Sequence, residues 1–204
     1  MQNRPSGRLT DEKGGAALFA GIYLEKKKKR GKTLMTQLDE KFFWDLCYGL
    51  YIVTSRDGER LNGQLVNTVT QVTADPPRVG VIISKKNLTH EFIEKSGVFA
   101  ACVLEEDVSL KFLGPFGFRS GRDVDKFAEV KYTIGQSGCP IIEDHVLSWA
   151  EVRVSQTLDV GTHTVFVGEV ENTGCFKSGT PLTYAYYHHH LKGKTAVNAP
   201  TYRK

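Results

Sequence analysis

The sequence predicts a mainly β protein that folds as a closed antiparallel β-barrel with short helices at its rim. Six or more segments are rich in β-branched and aromatic residues, which is typical of strands. Hairpin turns join most neighbouring segments, and the predicted helices are short. A parallel sheet would need a crossover helix after each strand, so this pattern favours an antiparallel barrel.

Turn-forming residues set the bounds of the predicted elements. Asp57-Gly58 predicts a hairpin turn after the first strand. Asp75-Pro76-Pro77 must end the second strand, because proline cannot donate a hydrogen bond to a central ladder. Gly97 ends the first helix, and Gly114-Pro115 closes the second. The predicted strands are residues 50–54, 61–72, 78–84, 98–104, 145–158 and 164–170, and the predicted helices are residues 89–96 and 107–112.

The second half of the chain adds a buried strand, a long hairpin and a polar loop. Residues 98–104 form an unbroken apolar run, which predicts a buried strand. Residues 145–158 alternate apolar and polar side chains, and Asp159-Val160-Gly161 turns that strand into the next one. Residues 116–126 are dense in glycine and charge and contain aromatic rings, which makes them a candidate site loop.

Charge divides the 204-residue chain into a basic extension, residues 1–34, and one domain, residues 35–204. The extension holds nine Lys and Arg against three Asp and Glu, and we expect it to be disordered. It is either a segment upstream of a native start at Met35 or a basic binding tail. The whole chain has a net charge of +4, so the domain itself is mildly acidic and is not expected to bind nucleic acid.

Cysteine spacing and hydropathy predict a cytoplasmic protein without a metal site or membrane segment. The four cysteines form no Cys-x-x-Cys pair, and most lie among apolar or small residues. The apolar run at residues 14–24 is too short to span a bilayer, and its basic residues follow it, unlike those of a secretory signal. The consecutive His188-His189-His190 point in different directions on a strand or a helix, so they rarely bind one metal ion together.

The candidate site lies between residues 61 and 89, where a polar strand precedes a basic turn. The backbone of residues 67–70 can hydrogen-bond to the edge of a flat heterocycle. The turn at residues 84–86 precedes a helix start at residues 87–89, where free N–H groups and the helix dipole attract a phosphate. Helix capping, solvated lysines and ordinary barrel packing are the alternatives. A flavin fits this combination, and its predicted ligands are Asn67, Thr68, Val69, Thr70, Ser84, Lys85, Lys86, Asn87 and Thr89.

Five segments in this order resemble the flavin reductase-like, FMN-binding split-barrel family. The resemblance covers nearly all of residues 35–204 and extends to the subgroup of flavoredoxins and the flavin module of high-molecular-weight rubredoxins. The segments are NGQLVNTVTQVTADPP (62–77), SKKNLTHEFIEKSGVFAACVL (84–104), FGFRSGRDVDKF (116–127), GTHTVFVGEV (161–170) and PLTYAYY with GKTAVNAPTY (181–202).

This resemblance implies an FMN-dependent oxidoreductase or electron-transfer flavoprotein. Family members are typically homodimers that hold FMN near the subunit interface, and many take electrons from NADH or NADPH. The acceptor would be a redox protein such as rubredoxin, a metal ion or a second flavin. The chain has no rubredoxin-type Cys-x-x-Cys pairs, so a fused rubredoxin is not expected. The alternative is a non-enzymatic FMN carrier, store or sensor.

The resemblance also assigns roles to residues outside the first stretch. The family places the GTH motif near the flavin, so His163 is a candidate to bind or orient flavin or nicotinamide, and it is the tentative candidate for a catalytic role. The loop at residues 116–126 is a candidate site for an anionic second substrate such as a nucleotide. Its tentative ligands are Phe116, Arg119, Arg122 and Lys126.

Overall fold

The structure is a computed structural model that describes residues 39 and 41–202. The chain divides into two compact units, Met1–Trp44 and Asp45–Lys204. Helix α1 (Lys41–Trp44) belongs to the first unit. The predicted basic extension, residues 1–34, lies outside the described residues, so its disorder and its boundary stay predictions.

The second unit is mainly β, which confirms the predicted fold class. Within residues 45–202 it has nine strands and three helices. Its helices are α2 (Leu88–Ser96), α3 (Leu110–Phe118) and α4 (Tyr184–His189). Its strands are β1 (Tyr51–Asp57), β2 (Arg60–Val66), β3 (Thr70–Ala74), β4 (Pro77–Ser84), β5 (Val98–Leu104), β6 (Tyr132–Ile134), β7 (Pro140–Ile142), β8 (Val146–Asp159) and β9 (His163–Cys175).

Seven of the strands in this range form one antiparallel sheet in the order β2-β1-β5-β8-β9-β4-β3. Its two edges, β2 and β3, are consecutive in sequence and are joined by three residues, Asn67, Thr68 and Val69. The four steps from Val66 to Thr70 span at most roughly 14 Å. A flat sheet of this width would separate its edges by roughly 29 Å. The sheet must therefore curl until its edges approach each other, as a split barrel does.

One hydroxyl fixes the connection between the two edges. The Thr68 Oγ1 donates a hydrogen bond to the Ile82 carbonyl at 2.9 Å and accepts one from the Ile82 N–H at 3.4 Å. Ile82 lies on β4, next to the edge strand β3. Thr68 therefore holds the three-residue connection, which we call the edge link (Asn67–Val69), against the sheet.

The core lies on both faces of this sheet. Strand β5 has side chains in two buried clusters: Val98, Ala100, Cys102 and Leu104 pack in one, and Phe99 and Ala101 pack in the other. This confirms that residues 98–104 form a buried strand, and burial on both faces explains why their sequence does not alternate. Helix α3 covers the first cluster with Leu113 and Phe116.

Two of the predicted elements are wrong. The second strand does not run from residue 61 to 72 but ends at Val66, because the chain leaves one sheet edge and starts the other at Thr70. The second helix is not residues 107–112 but Leu110–Phe118, and it contains Pro115. The Ser109 hydroxyl caps its start by accepting from the Phe112 N–H at 3.2 Å. Burial of Leu113 and Phe116 on one helix face offsets the hydrogen bond that proline cannot donate.

The bounds of the other predicted strands and helices agree closely with those in the structure. The helix that ends at Gly97 is confirmed, and Gly97 has a φ of 69°, the left-handed conformation that glycine adopts without strain. The long hairpin is confirmed as β8 and β9, although β9 extends to Cys175. The sequence interpretation missed β6, β7 and α4. In the described part of the chain, no helix is both long enough and apolar enough to cross a membrane.

We expect Thr68→Val to lower the free energy of unfolding by about 1–2 kcal/mol. The substitution keeps the side-chain shape but removes both hydrogen bonds to Ile82, leaving a backbone donor and acceptor with lost partners. Urea denaturation measures the change. Thr70→Val is the matched control, because Thr70 is exposed on β3 and its change should stay within about 0.5 kcal/mol. Equal stabilities for the two variants would contradict the role of Thr68.

Candidate functional site

A cleft of about 450 Å³ opens beside the edge link. This volume is in the range of small-molecule sites. Four parts of the second unit form its walls: strand β2 with the edge link, the start of α2, the end of α3 with the following loop, and a C-terminal segment. The polar and charged residues that line it are Asn62, Gln64, Asn67, Thr68, Ser84, Lys86, Asn87, Thr89, Arg119, Ser120, Arg122, Lys126, Tyr184, Tyr187, Lys194, Thr195, Asn198 and Thr201.

The predicted phosphate turn forms one end of this cleft. The Ser84 carbonyl accepts from the Asn87 N–H at 3.0 Å, which closes the turn before α2. Asn87 is the N-cap of the helix, but its side chain makes no capping hydrogen bond. The N-terminal end of α2 thus faces the cleft, which Ser84 and Thr89 also line. Such an end attracts an anion.

The two neighbouring lysines of this turn differ in their surroundings. Lys86 lines the cleft. Lys85 instead points to Asp159, with 2.6 Å between its Nζ and the Asp159 Oδ2, and it does not line the cleft. The hydrogen bond from Lys85 holds the pKa of the Asp159 carboxyl below its ordinary value. Only Lys86 of this pair is therefore placed to reach a ligand in the cleft.

The four residues predicted to face the flavin ring separate into two pairs. Asn67 and Thr68 line the cleft. Val69 packs against the second core cluster, and Thr70 is exposed on β3. The alternation expected for a continuous strand does not occur, because residues 67–69 form a link between strands.

The residues predicted to bind a second substrate differ in their positions around the cleft. Phe116 is a buried core residue inside α3 and not part of the loop, although its ring borders the cleft. Arg119 and Arg122 also line the cleft. The Arg122 guanidinium forms a salt bridge with Glu91 on α2. An added Cβ at Gly121 would sit 2.1 Å from the Asn62 Oδ1, so a larger residue here would displace the Asn62 amide.

Lys126 is the buried charge of the cleft. It is 6% exposed, and its Nζ donates to the Gly63 carbonyl at 2.8 Å. Burial lowers the pKa of Lys126 to about 8, because the charged ammonium is poorly solvated there.

Two buried amides beside Lys126 were missed by the sequence interpretation. Asn62 is 2% exposed and Gln64 is 9% exposed, and both line the cleft. The Asn62 Nδ2 donates to the Thr89 Oγ1 at 2.8 Å, but within the described part of the chain no group donates to the Asn62 Oδ1 or the Gln64 Oε1. The sequence feature that could have identified them is their spacing of two residues. This spacing places both amides on the face of β2 that also buries Val66.

The C-terminal segment, residues 194–201, was also missed as part of the site. It closes one side of the cleft and bonds to residues predicted for the cofactor. The Asn198 Nδ2 donates to the Asn87 Oδ1 at 3.0 Å, and the Asn67 Nδ2 donates to the Thr201 Oγ1 at 3.2 Å. The Tyr184 hydroxyl lies 3.0 Å from the Thr201 Oγ1. The sequence feature that could have identified this segment was GKTAVNAPTY (193–202), which resembles the family but carries no predicted site residue.

His163 lies behind this segment and does not line the cleft. Its Nε2 is 3.2 Å from the Asn198 carbonyl oxygen, and its Nδ1 is 2.8 Å from the Thr162 Oγ1. His163 therefore contacts the cleft through Asn198.

The described side chains form no cluster of three or more His, Cys, Asp or Glu that could hold a metal ion. In the histidine triplet, the His188 Nδ1 lies 2.9 Å from the Gly193 carbonyl, and its ring packs against Tyr184. His188 thus has a structural role at the end of α4.

The residues of the cleft fit an FMN molecule. An anion-binding helix start with Lys86 suits its phosphate, and the two amide oxygens without partners suit a ring that carries an N–H donor. The donors on Lys126 and on the edge link suit the carbonyl and ring-nitrogen acceptors of the same ring.

We expect combined Asn198→Ala and Thr201→Ala to free the C-terminal segment. The double change removes the hydrogen bonds to Asn87, Asn67 and Tyr184, each worth about 1 kcal/mol. Hydrogen exchange of the amides in residues 194–202 should become at least about tenfold faster. Thr180→Ala, an exposed threonine that does not line the cleft, is the control. Unchanged exchange in the double variant would show that these contacts do not hold the segment.

Comparison with known proteins gives the family. Residues 44–194 match the flavin reductase like domain. The chain is 47% identical over 165 residues to the high molecular weight rubredoxin of Moorella thermoacetica, covering 81% of this chain and 72% of that protein. It is 42% identical over 165 residues to the ferric-chelate reductase (NAD(P)H) of Archaeoglobus fulgidus, covering 81% of this chain and 98% of that protein.

Comparison with solved structures supports the same family. The flavin reductase HpaC complexed with NADP+ has a TM-score of 0.62 at 26% identity, covering 74% of this chain and 93% of that chain. The FMN-binding protein from Thermus thermophilus with bound 1-cyclohex-2-enone has a TM-score of 0.59 at 28% identity, covering 71% of this chain and 79% of that chain. The resemblance identified from the five sequence motifs is confirmed, and the chain belongs to the flavin reductase-like family.

Proposed function

We propose that the protein is an FMN-dependent oxidoreductase that takes electrons from NADH or NADPH and passes them to a redox protein, a metal ion or a second flavin. The observation that carries this proposal is the combination, in one cleft, of an anion-binding helix start and a buried polar edge with unpaired acceptors. The ferric-chelate reductase (NAD(P)H) and the FMN-binding protein among its relatives support the choice of donor and cofactor.

In this proposal the phosphate end is held by Ser84, Lys86, Asn87 and Thr89. The helix dipole and one ammonium group supply positive potential and the hydroxyl groups supply donors, which together offset most of the charge of a phosphate. Lys85 pairs with Asp159 and does not line the cleft, so it would have to exchange this exposed ion pair to reach the phosphate.

The ring end is held by the edge link and strand β2. Asn67, Thr68, Asn62 and Gln64 provide hydrogen-bonding groups on a wall that otherwise consists of apolar side chains. The flavin supplies the hydride-accepting chemistry, and the chain supplies its orientation and its electrostatic surroundings. Val69 and Thr70 lie outside the cleft, so a cofactor role for them requires a second copy of the chain.

The nicotinamide nucleotide would enter along the loop after α3. Arg119 and Arg122 offer guanidinium groups for its phosphates. Arg122 would have to exchange its salt bridge with Glu91 for the ligand. His163 would act through the C-terminal segment, because Asn198 lies between it and the cleft.

We also propose a cytoplasmic homodimer. Exposed apolar side chains at the β8–β9 turn, Leu158 and Val160, and on β3, Val72, offer surface for a second copy. The buried thiols Cys102 and Cys139 are compatible with a reducing compartment, where NADH and NADPH are also found. The rubredoxin-named relative supports a small redox protein as an electron acceptor.

We expect the FMN-loaded protein to be bleached by NADH or NADPH without oxygen. Hydride transfer to bound flavin removes its visible absorption, and anaerobic absorption spectroscopy follows this loss. Free FMN with the same nucleotide is the control. If FMN binds but stays oxidised with both nucleotides, the protein is a carrier, store or sensor and the reductase proposal is wrong.

We expect Lys86→Ala to weaken FMN binding by about tenfold or more, whereas Lys85→Ala should change it little. A charge-assisted hydrogen bond contributes about 1.5–3 kcal/mol, and only Lys86 lines the cleft. Quenching of flavin fluorescence gives the dissociation constants. Riboflavin, which lacks the phosphate, should bind equally well to the wild type and to Lys86→Ala. Equal losses for the two lysine variants would contradict the assignment of the phosphate to Lys86.

A further inference from the structure

Lys126 is a buried lysine in the wall of the cleft. Its side chain is 6% exposed, and its hydrogen bond goes to the neutral Gly63 carbonyl. Among residues 39 and 41–202, no carboxylate forms a salt bridge with it. A buried ammonium is normally paired with an anion, because removing it from water is costly.

Lys126 binds strand β2 at a residue that lies between the two buried amides, Asn62 and Gln64. Gly63, which accepts its hydrogen bond, lies between Asn62 and Gln64 on β2. The ammonium and the two amide oxygens therefore gather along three consecutive residues at the edge of the sheet. An ammonium has three donors, of which this hydrogen bond uses one, and the two amide oxygens still need donors.

A ligand group that satisfies this edge must combine an N–H donor with acceptors that can carry negative charge. The pyrimidine part of the isoalloxazine ring has this arrangement, since its N3–H lies among the acceptors N1, O2 and O4. Hydride transfer from NAD(P)H gives NAD(P)+ and a reduced flavin with one additional negative charge, which is spread over N1 and O2. Charge near N1 is a main means by which proteins adjust a flavin.

We propose that Lys126 is the charge partner of the pyrimidine ring of reduced FMN, with Asn62 and Gln64 accepting from the same ring. The inference rests on the proposed function and gives Lys126 a role that differs from binding an anionic second substrate. The bound flavin supplies the missing anion in its reduced state. Lys126 thus favours reduced over oxidised cofactor and raises the reduction potential.

A purely structural role makes a different prediction. The hydrogen bond to Gly63 also fastens the loop after α3 to strand β2. If this were its whole role, loss of Lys126 would affect stability and leave the potential of bound FMN unchanged. If Lys126 served the nucleotide instead, its loss would raise the KM for NAD(P)H without changing the potential.

The test measures the midpoint potential of FMN bound to the full chain, by anaerobic titration with a reference dye. The variants are Lys126→Met, which keeps the length of the side chain, and Lys126→Gln, which keeps a donor without the charge. Lys111→Met is the matched control, because Lys111 is an exposed lysine on α3 that does not line the cleft. Dissociation constants for oxidised FMN are measured on the same samples, and if Lys126→Met fails to fold, Lys126→Gln carries the test.

We expect both Lys126 variants to bind oxidised FMN within about threefold of the wild type and to raise the ratio of the dissociation constants of reduced and oxidised FMN at least about tenfold. For a two-electron couple this corresponds to a potential at least about 30 mV lower. An unchanged potential in both variants overturns the inference, with or without a change in the KM for NAD(P)H. A wild-type chain that binds no FMN overturns the proposed function and this inference together. Bound FMN with an unchanged potential in the variants overturns only the inference.

Discussion

The structure depends on the distance that three residues can span. The edge link joins the first and last strands of a seven-stranded sheet within residues 45–202, so the sheet cannot lie flat. Closure brings together groups that are far apart along the chain, and the hydrogen bonds of Thr68 to Ile82 hold the link in place. The cleft lies beside this link, where backbone and side-chain polar groups are not used up by a continuous ladder.

Closure also explains why the site is composite. Strand β2 contributes the polar edge, and α2 contributes the anion-binding end because β4 delivers the chain to the same place. The C-terminal segment completes the wall through Asn198 and Thr201, far from both elements in sequence. Each part offers a few polar groups, and the closed barrel brings them together in one cleft.

The sequence was sufficient for features that depend on local chemistry. The apolar run 98–104 and the helix stop at Gly97 were located correctly because burial and glycine conformation act over a few residues. The sequence was insufficient where contacts between residues far apart in the chain determine the structure. Nothing local distinguishes Lys85 from Lys86, and Asp159, which binds the first of them, comes 74 residues later than Lys85. Residues 61–72 look like one strand because barrel closure, and not residue type, breaks them at the link.

The buried polar groups of the cleft indicate whether the residues of this edge suit a stable fold or a binding site. Among residues 39 and 41–202, the lysine has no carboxylate partner and the two amide oxygens have no donor, and each buried group with unmet hydrogen bonds costs about 1–3 kcal/mol. Apolar residues of similar size would remove that cost, as they do when they replace buried charges in other proteins. A ligand that supplies a donor and a negative charge removes it as well. The edge of β2 therefore has the composition of a binding surface, and its instability without a ligand is the counterpart of its affinity.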